Sequence, residues 1–305
     1  MLIEIFLLSQ SEELRKILEE KSIVKVCGAF DAMSAKLVEL NGFDAIWSGS
    51  FAISSTHGVP DASILTMTEF FDVASNMAQT CNIPIIADCD TGYGGPSNVM
   101  HMVKKYENAG IAAVCIEDKT FPKRNSLLKD GTNELISEKE FVAKILAAKD
   151  AKKNKDFMVI ARVESLISGL SMDTALKRAE AYEEAGADAI LIHSKQKNPD
   201  EIFEFADSFK GNCPVVVIPT TYDTVKINEL ENHNIKMVIY ANQTLRAAHK
   251  SMRDLLKILK NSESISSVNE KLSSMESIFE LQSMYEIENK EKELEEKLKK
   301  LGYMN

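Results

Sequence analysis

Short apolar runs recur along the chain, and each is followed by a stretch with the spacing of an amphipathic helix. The runs occupy residues 23–27, 44–47, 84–88, 112–117, 157–162, 187–193, 214–218 and 236–240. Near-continuous hydrophobic segments of this kind mark strands buried on both faces, as in a parallel sheet covered by helices. Helical patterns at 66–80, 137–153, 172–185 and 243–259 lie among them, so the chain reads as repeated βαβ units. A repeated phrase supports this reading. NGFDAIW at 41–47, NAGIAAVC at 108–115 and EAGADAIL at 184–191 each place a helix end, a Gly turn and a strand start in the same order.

Eight strand–helix units are the number that closes a (β/α)8 barrel. An open doubly wound sheet would show fewer strands and a Gly-rich phosphate loop after the first, and neither is present. The expected architecture is therefore α/β, a TIM-type barrel over residues 1–261. Beyond it, a polar Ser-rich break at 262–266 leads into helix formers ending in NKEKELEEKLKKLG. A C-terminal helical extension over 262–305 is expected, serving as a solvated face or an oligomer-packing tail.

Composition narrows the partners. The 305 residues are 45% hydrophobic and 27% charged, ordinary for a globular chain, and barrels of this type use roughly 250 residues as one domain. A net charge of -10 argues against nucleic acid or an anionic membrane as partner. A small anion is still accessible if a metal or local cations reverse the sign inside a pocket. Five scattered cysteines without a CxxC pair point to a reducing, cytosolic compartment. The apolar start carries Glu4 and no basic region, a poor signal peptide, and no stretch approaches the roughly 18 apolar residues of a membrane span.

Chemistry in such barrels is built at the C-terminal strand ends. The second run ends in Trp47-Ser-Gly-Ser50, the third in Asp88-Cys-Asp90, the fourth in Glu117, the fifth in Arg162-Val-Glu164 and the sixth in His193. Any one of these could cap a helix or pair with a neighbour, but together they point to a site. Asp88, Asp90 and Glu117 are hard oxygen ligands without a Cys/His cluster, which suits Mg²⁺ or Mn²⁺. One direct ligand, Asp88, is expected, with Asp90 and Glu117 acting partly through water. Cys89 alternates to the packing side. A metal facing Arg162, His193 and Lys123 makes a pocket for an oxyacid bearing carboxylate and phosphoryl groups, because the guanidinium fork binds such oxygens in pairs. His101, His233 and His249 lie in helical stretches and read as solvated or packing residues.

With DCDTGYG at 88–94, EDKTFPKRNS at 117–126, ARVES at 161–165 and ILIHSK at 190–195, the chain resembles the isocitrate lyase/phosphoenolpyruvate mutase superfamily over about residues 22–255. The most specific signal is Glu-Asp-Lys-x-x-x-Lys-x-Asn-Ser, filled by Glu117, Asp118, Lys119, Lys123, Asn125 and Ser126. The resemblance implies that this stretch is a loop closing over the site, bringing Lys123 and Asn125 to a phosphoryl group. The superfamily's carbon–carbon lyases carry an acid/base Cys in the loop, and none is present here. Phosphonopyruvate hydrolases resemble the mutases throughout but lack the Asn. The resemblance therefore implies the mutase branch, which interconverts phosphoenolpyruvate and phosphonopyruvate.

It further implies that Trp47 shapes the wall and that backbone N–H groups of Gly49, Ser50 and Phe51 hold the carboxylate and enolate end. Mg²⁺ on Asp88 would polarise that end, Arg162 and His193 would stabilise the phosphoryl group, and Asp61 would position a site or gate residue. A homo-oligomer, dimer or tetramer, with an exchanged terminal helix is expected. One departure stands out. The family pattern Trp-x-Ser-Gly-Leu reads here Trp47-Ser48-Gly49-Ser50-Phe51, which shifts any contact made by a Ser side chain and preserves the backbone donors. A catalytically inactive barrel serving protein interaction is the remaining alternative.

Overall fold

The computed structural model describes residues 8–128 and 133–304. Eight parallel strands close into a barrel in sequence order: β1 (Val24–Ala29), β2 (Ala45–Ser48), β3 (Ile85–Asp88), β4 (Ala113–Glu117), β5 (Met158–Val163), β6 (Ala189–Ile192), β7 (Val215–Val217) and β8 (Ile235–Tyr240). Each observed strand overlaps one of the apolar runs, and the barrel is the expected fold. The helices of the unit Met1–Leu245 are α1 (Gln10–Glu20), α2 (Ala32–Leu40), α3 (Ser50–Thr56), α4 (Met67–Thr80), α5 (Pro96–Asn108), α6 (Glu138–Ala151), α7 (Met172–Glu184), α8 (Asp200–Ser208) and α9 (Ile227–Asn232). α10 (Gln243–Lys260) runs into a second compact unit, Arg246–Asn305. That unit also holds a 3-10 turn (Ile265–Lys271), α11 (Met275–Leu281) and α12 (Met284–Lys300). Among its described residues only Val268 is a buried apolar side chain.

The two-residue period of the strands sorts their side chains into two layers. Val24, Val26, Ala45, Trp47, Ile86, Ala113, Cys115, Met158, Ile160, Ala189 and Leu191 fill the barrel interior. Val114, Ile116, Val159, Ala161, Ile190 and Ile192 instead pack outward against helix residues such as Phe141, Ala179 and Tyr182. Leu14 and Leu18 of α1 join the interior cluster. Ser11 Oγ of the same helix donates to the Ala112 carbonyl at 3.3 Å, and Arg15 pairs with Asp188 at 2.8 Å. Both partners precede strands, so α1 covers the N-terminal mouth of the barrel and leaves the C-terminal mouth for chemistry. No helix among the described residues is long and apolar enough to cross a membrane.

Candidate active site

Extending the inward series by one step on each strand gives the polar residues of the mouth. Ile86 is followed inward by Asp88, Cys115 by Glu117, Ile160 by Arg162 and Leu191 by His193. Glu117 and Arg162 are direct register partners on β4 and β5. All four are buried, Asp88 at 9% being the most exposed.

The chain bends sharply after β3. Asp90, Gly92, Tyr93 and Gly94 all have positive φ, of 51°, 84°, 59° and 143°. A non-glycine residue held there costs on the order of 1 kcal/mol and persists only where its surroundings fix it. Here the Asp90 N–H lies 3.3 Å from Asp88 Oδ1, and the Asp90 carbonyl accepts from Glu117 N at 2.8 Å. Gly92 is required twice over, since a Cβ would also come within 2.6 Å of Val99 Cγ2. The bend keeps the Asp88 and Asp90 carboxylates in the mouth and sends Cys89 into the helix-side packing layer.

Two connected clusters result. In the first, Lys123 Nζ reaches Asp90 Oδ1 at 2.5 Å, Asp61 Oδ1 at 2.9 Å and Ser50 Oγ at 3.0 Å. Ser50 Oγ donates onward to Asp88 Oδ2 at 2.9 Å, and Asn125 Nδ2 donates to Asp61 Oδ2 at 2.8 Å. Burial alone would lower the Lys123 pKa, but Asp90, Asp61, Glu117 and Asp88 outweigh it and raise it well above the ordinary lysine value. Burial pushes the Asp90 carboxyl up to about 7, with Lys123 opposing and Asp88, Asp61 and Glu117 reinforcing.

The second cluster centres on Glu164, which has no solvent exposure. It pairs with Arg162 Nε, lies 2.9 Å from His193 Nδ1 and 3.3 Å from Lys119 Nζ, and accepts from Ser126 Oγ at 2.8 Å. Lys119 Nζ and Arg162 Nη2 both donate to Ser126 Oγ, at 2.5 and 3.3 Å. Burial would raise the Glu164 pKa, but Arg162, His193 and Lys119 hold it well below the usual carboxylate range. Burial lowers that of His193, against the pull of Glu164, so its imidazole is neutral near pH 7. His193 Nδ1 also lies 2.9 Å from Arg162 Nη2; a neutral ring can accept from the guanidinium or donate to Glu164, not both.

Asp61, Lys123, Asn125, Ser50, Asp88 and Asp90 thus come together, as do Arg162, His193, Ser126 and Glu117. Trp47 lies in the interior packing beneath them. The Gly49 N–H donates to the Ala29 carbonyl at 3.4 Å, and Phe51 is 41% exposed. Lys195 turns away to the Ile167 carbonyl at 3.0 Å.

Sequence reasoning did not single out Glu164 as a site residue, although it sits one inward step past Arg162. Nor did it single out the anchor under the loop. Asp118 accepts from Glu164 N, Arg178 Nη1 and Tyr182 Oη, all within 2.9 Å, and Arg178 Nη2 donates to the Ile136 carbonyl at 2.9 Å. Burial pushes the Asp118 carboxyl up to about 6 against those hydrogen bonds. Arg178 and Tyr182 are one turn apart on α7, a spacing that reads simply as helix packing.

The donor set was tested against a divalent cation. Among the described residues, no group of three His, Cys, Asp or Glu side chains is placed to hold a metal ion. Magnesium needs no such group, since it takes one or two carboxylates and keeps several waters. Glu117 Oε1 is buried without a hydrogen-bond partner. Asp61, Asp88, Asp90, Glu117 and Glu164 outnumber the fixed cations Lys119, Lys123 and Arg162, an imbalance that pushes Asp90 up to about 7 and that a divalent cation offsets. The residues fit.

A profile described as phosphoenolpyruvate phosphomutase matches residues 14–260. The chain is 42% identical over 283 residues to a phosphoenolpyruvate phosphomutase of Tetrahymena pyriformis, covering 93% of this chain and 94% of that one. It is 43% identical over 276 residues to a phosphonopyruvate hydrolase of Variovorax sp. (strain Pal2), covering 90% and 95%. The crystal structure of a phosphonopyruvate hydrolase complex with oxalate and Mg²⁺ superposes with a TM-score of 0.88 at 41% identity, covering 92% of this chain and 98% of the other.

Proposed function

The chain belongs to the phosphoenolpyruvate phosphomutase family, a family of enzymes, and we propose that it interconverts phosphoenolpyruvate and 3-phosphonopyruvate, the step that forms a carbon–phosphorus bond in phosphonate biosynthesis. The two relatives of near-equal identity carry different activities, so likeness alone does not choose between them. The observation that carries the reading is Asn125, present in the loop and seated on Asp61 beside Lys123. Mg²⁺, with Mn²⁺ as a substitute, would be held by Asp88, with Asp90 and Glu117 contributing through water. The hydrolase bound to oxalate and Mg²⁺ supports this choice. When bound, the ion supplies positive charge to the carboxylate and enolate end of the substrate.

The chain's own residues do the rest. Phosphoryl transfer runs through a loose, metaphosphate-like transition state, so positioning and electrostatics dominate over covalent chemistry. From phosphonopyruvate, the P–C3 bond breaks, its electrons pass into the pyruvate enolate, and the enolate oxygen then bonds to phosphorus. Arg162 retains Nη1 without a hydrogen bond among the described residues and is suited to the equatorial phosphoryl oxygens. With Nδ1 accepting from Arg162, neutral His193 keeps an Nε2–H to donate to the same group. Of the backbone donors at 49–51, Gly49 N–H lies on the Ala29 carbonyl and Ser50 N–H on Asp88 Oδ2, so Phe51 N–H is the one that would hold the carboxylate. Loop residues Lys119, Lys123, Asn125 and Ser126 tie down the cover that excludes water, because water attacking phosphorus would yield phosphate and pyruvate.

Asn125→Ala tests the reading. Loss of a hydrogen bond to a charged group, about 1.5–3 kcal/mol, predicts a roughly ten- to hundredfold fall in phosphoenolpyruvate formation with the fold retained. Unchanged turnover would remove Asn125 from the mechanism. A cytosolic location accords with five free cysteines. A homo-oligomer accords with exposed Met252, Leu256, Met275, Ile287 and Leu294 in the unit 246–305.

A further inference from the structure

We propose that Ser50 is a positioning residue, holding the Lys123 ammonium one hydroxyl away from Asp88 and fixing which oxygen of Asp88 faces the divalent cation. This rests on the reading that the cation binds Asp88. Ser50 is the first residue of α3 and only 1% exposed. Its hydroxyl offers one proton and two lone pairs, whereas an ammonium offers only protons. The direction of the bridge is therefore set: Lys123 Nζ donates to Ser50 Oγ at 3.0 Å, and Ser50 Oγ donates to Asp88 Oδ2 at 2.9 Å.

The Ser50 N–H adds a 3.4 Å approach to the same Oδ2. Asp88 Oδ1 keeps a single 3.3 Å contact from the Asp90 N–H among the described residues, so it is the oxygen left for a cation. Lys123 Nζ hydrogen-bonds Ser50 Oγ and forms ion pairs with Asp61 and Asp90, whose Oδ1 atoms have no hydrogen-bond partner. Remove the hydroxyl, and the ammonium loses its hydrogen-bond acceptor while Asp88 Oδ2 loses its side-chain donor, so the two are left without the group that separated them. A direct Lys123–Asp88 ion pair would then compete with the cation for the carboxylate.

The sequence departure takes on a meaning here. Where the family pattern has Ser-Gly, this chain has Gly49-Ser50, which puts the hydroxyl one position later, on the residue that reaches both Asp88 and Lys123.

The test is Mg²⁺ titration by calorimetry, without substrate, of wild type, Ser50→Ala, Lys123→Met and the double variant, each first checked for native melting. Ser50→Ala is expected to weaken Mg²⁺ binding on the order of tenfold, as loss of a group orienting a metal ligand does. In the Lys123→Met background the same change should have little effect, because no ammonium remains to collapse onto Asp88; such non-additivity is the mark of a shared contact. An equal loss in both backgrounds, or none in either, overturns the proposal. Wild type that fails to bind Mg²⁺ overturns the metal reading itself, a separable result. Should Lys123→Met not fold, trypsin cleavage after exposed Arg124 provides a second readout. In Ser50→Ala, Mg²⁺ that displaces Lys123 from Asp88 should speed the cut several-fold, whereas in wild type Mg²⁺ should leave it unchanged; the same Mg²⁺ dependence in both overturns the bridge.

Discussion

Replacing Glu164 with Gln keeps the size of a fully buried side chain and removes the charge that two buried cations share. Glu164 Oε1 faces Arg162 Nε and His193, while Oε2 faces Lys119 and Ser126. Whichever way the new amide is turned, its NH₂ meets a donor. Breaking a buried ion pair by removing one partner costs about 3–5 kcal/mol, and with no exposure at Glu164 no discount for solvent screening applies. Glu117 Oε2 still lies 3.4 Å from Arg162 Nε, which places the expected cost near the lower limit, about 3 kcal/mol.

For a barrel of this size that corresponds to a melting shift of roughly 6–12 °C, read by circular dichroism at neutral pH. The sign with pH follows from the depressed pKa. The contribution of Glu164 is fully present above its unfolded value near 4.5 and is lost as pH falls through the lower folded value. A shift below about 2 °C at neutral pH would refute the idea that Glu164 is the counter-ion organising Arg162 and Lys119.

Two further outcomes are expected. Iodoacetamide at pH 8 should leave activity intact, because burial raises the thiol pKa of Cys89 and Cys115 well above 9.0 and pushes Cys213 up to about 12, leaving little thiolate; inactivation tied to one modified thiol would contradict a purely packing role for these cysteines. Light scattering should give a mass two or four times 33.9 kDa, since the unit 246–305 has little core of its own; a monomer would contradict the proposed assembly.

The barrel was legible because both layers of packing leave a mark in sequence. Strands flanked by an interior and a helix layer must be apolar at almost every position, so β3 through β6 stand out as runs. The first polar inward residue past each run is where the mouth begins. Asp88, Glu117, Arg162 and His193 were readable on that ground alone. Glu164 was not, because one residue past a strand end the two-residue period loses its force and a second charge looks like solvated turn. Asp118 stood in the loop motif, but its partnership with Arg178 and Tyr182 was hidden for a different reason. Their partnership spans β4 and α7, 60 residues apart, and a buried Arg–Asp–Tyr anchor has no local pattern. The role of α1 was not legible either: Leu14 and Leu18 enter the interior cluster, but two apolar positions four apart are too short a stripe to reveal what they cover. The role of Ser50 needed geometry as well, since sequence shows only that the Ser-Gly order is reversed.

The central claim is that this site rearranges a phosphoryl group without surrendering it to water. A ³¹P NMR time course of the purified protein with phosphonopyruvate and Mg²⁺ tests it most directly. The account predicts a growing phosphoenolpyruvate resonance with no inorganic phosphate as primary product. Inorganic phosphate appearing first, with pyruvate, would contradict it and make the protein a hydrolase despite Asn125.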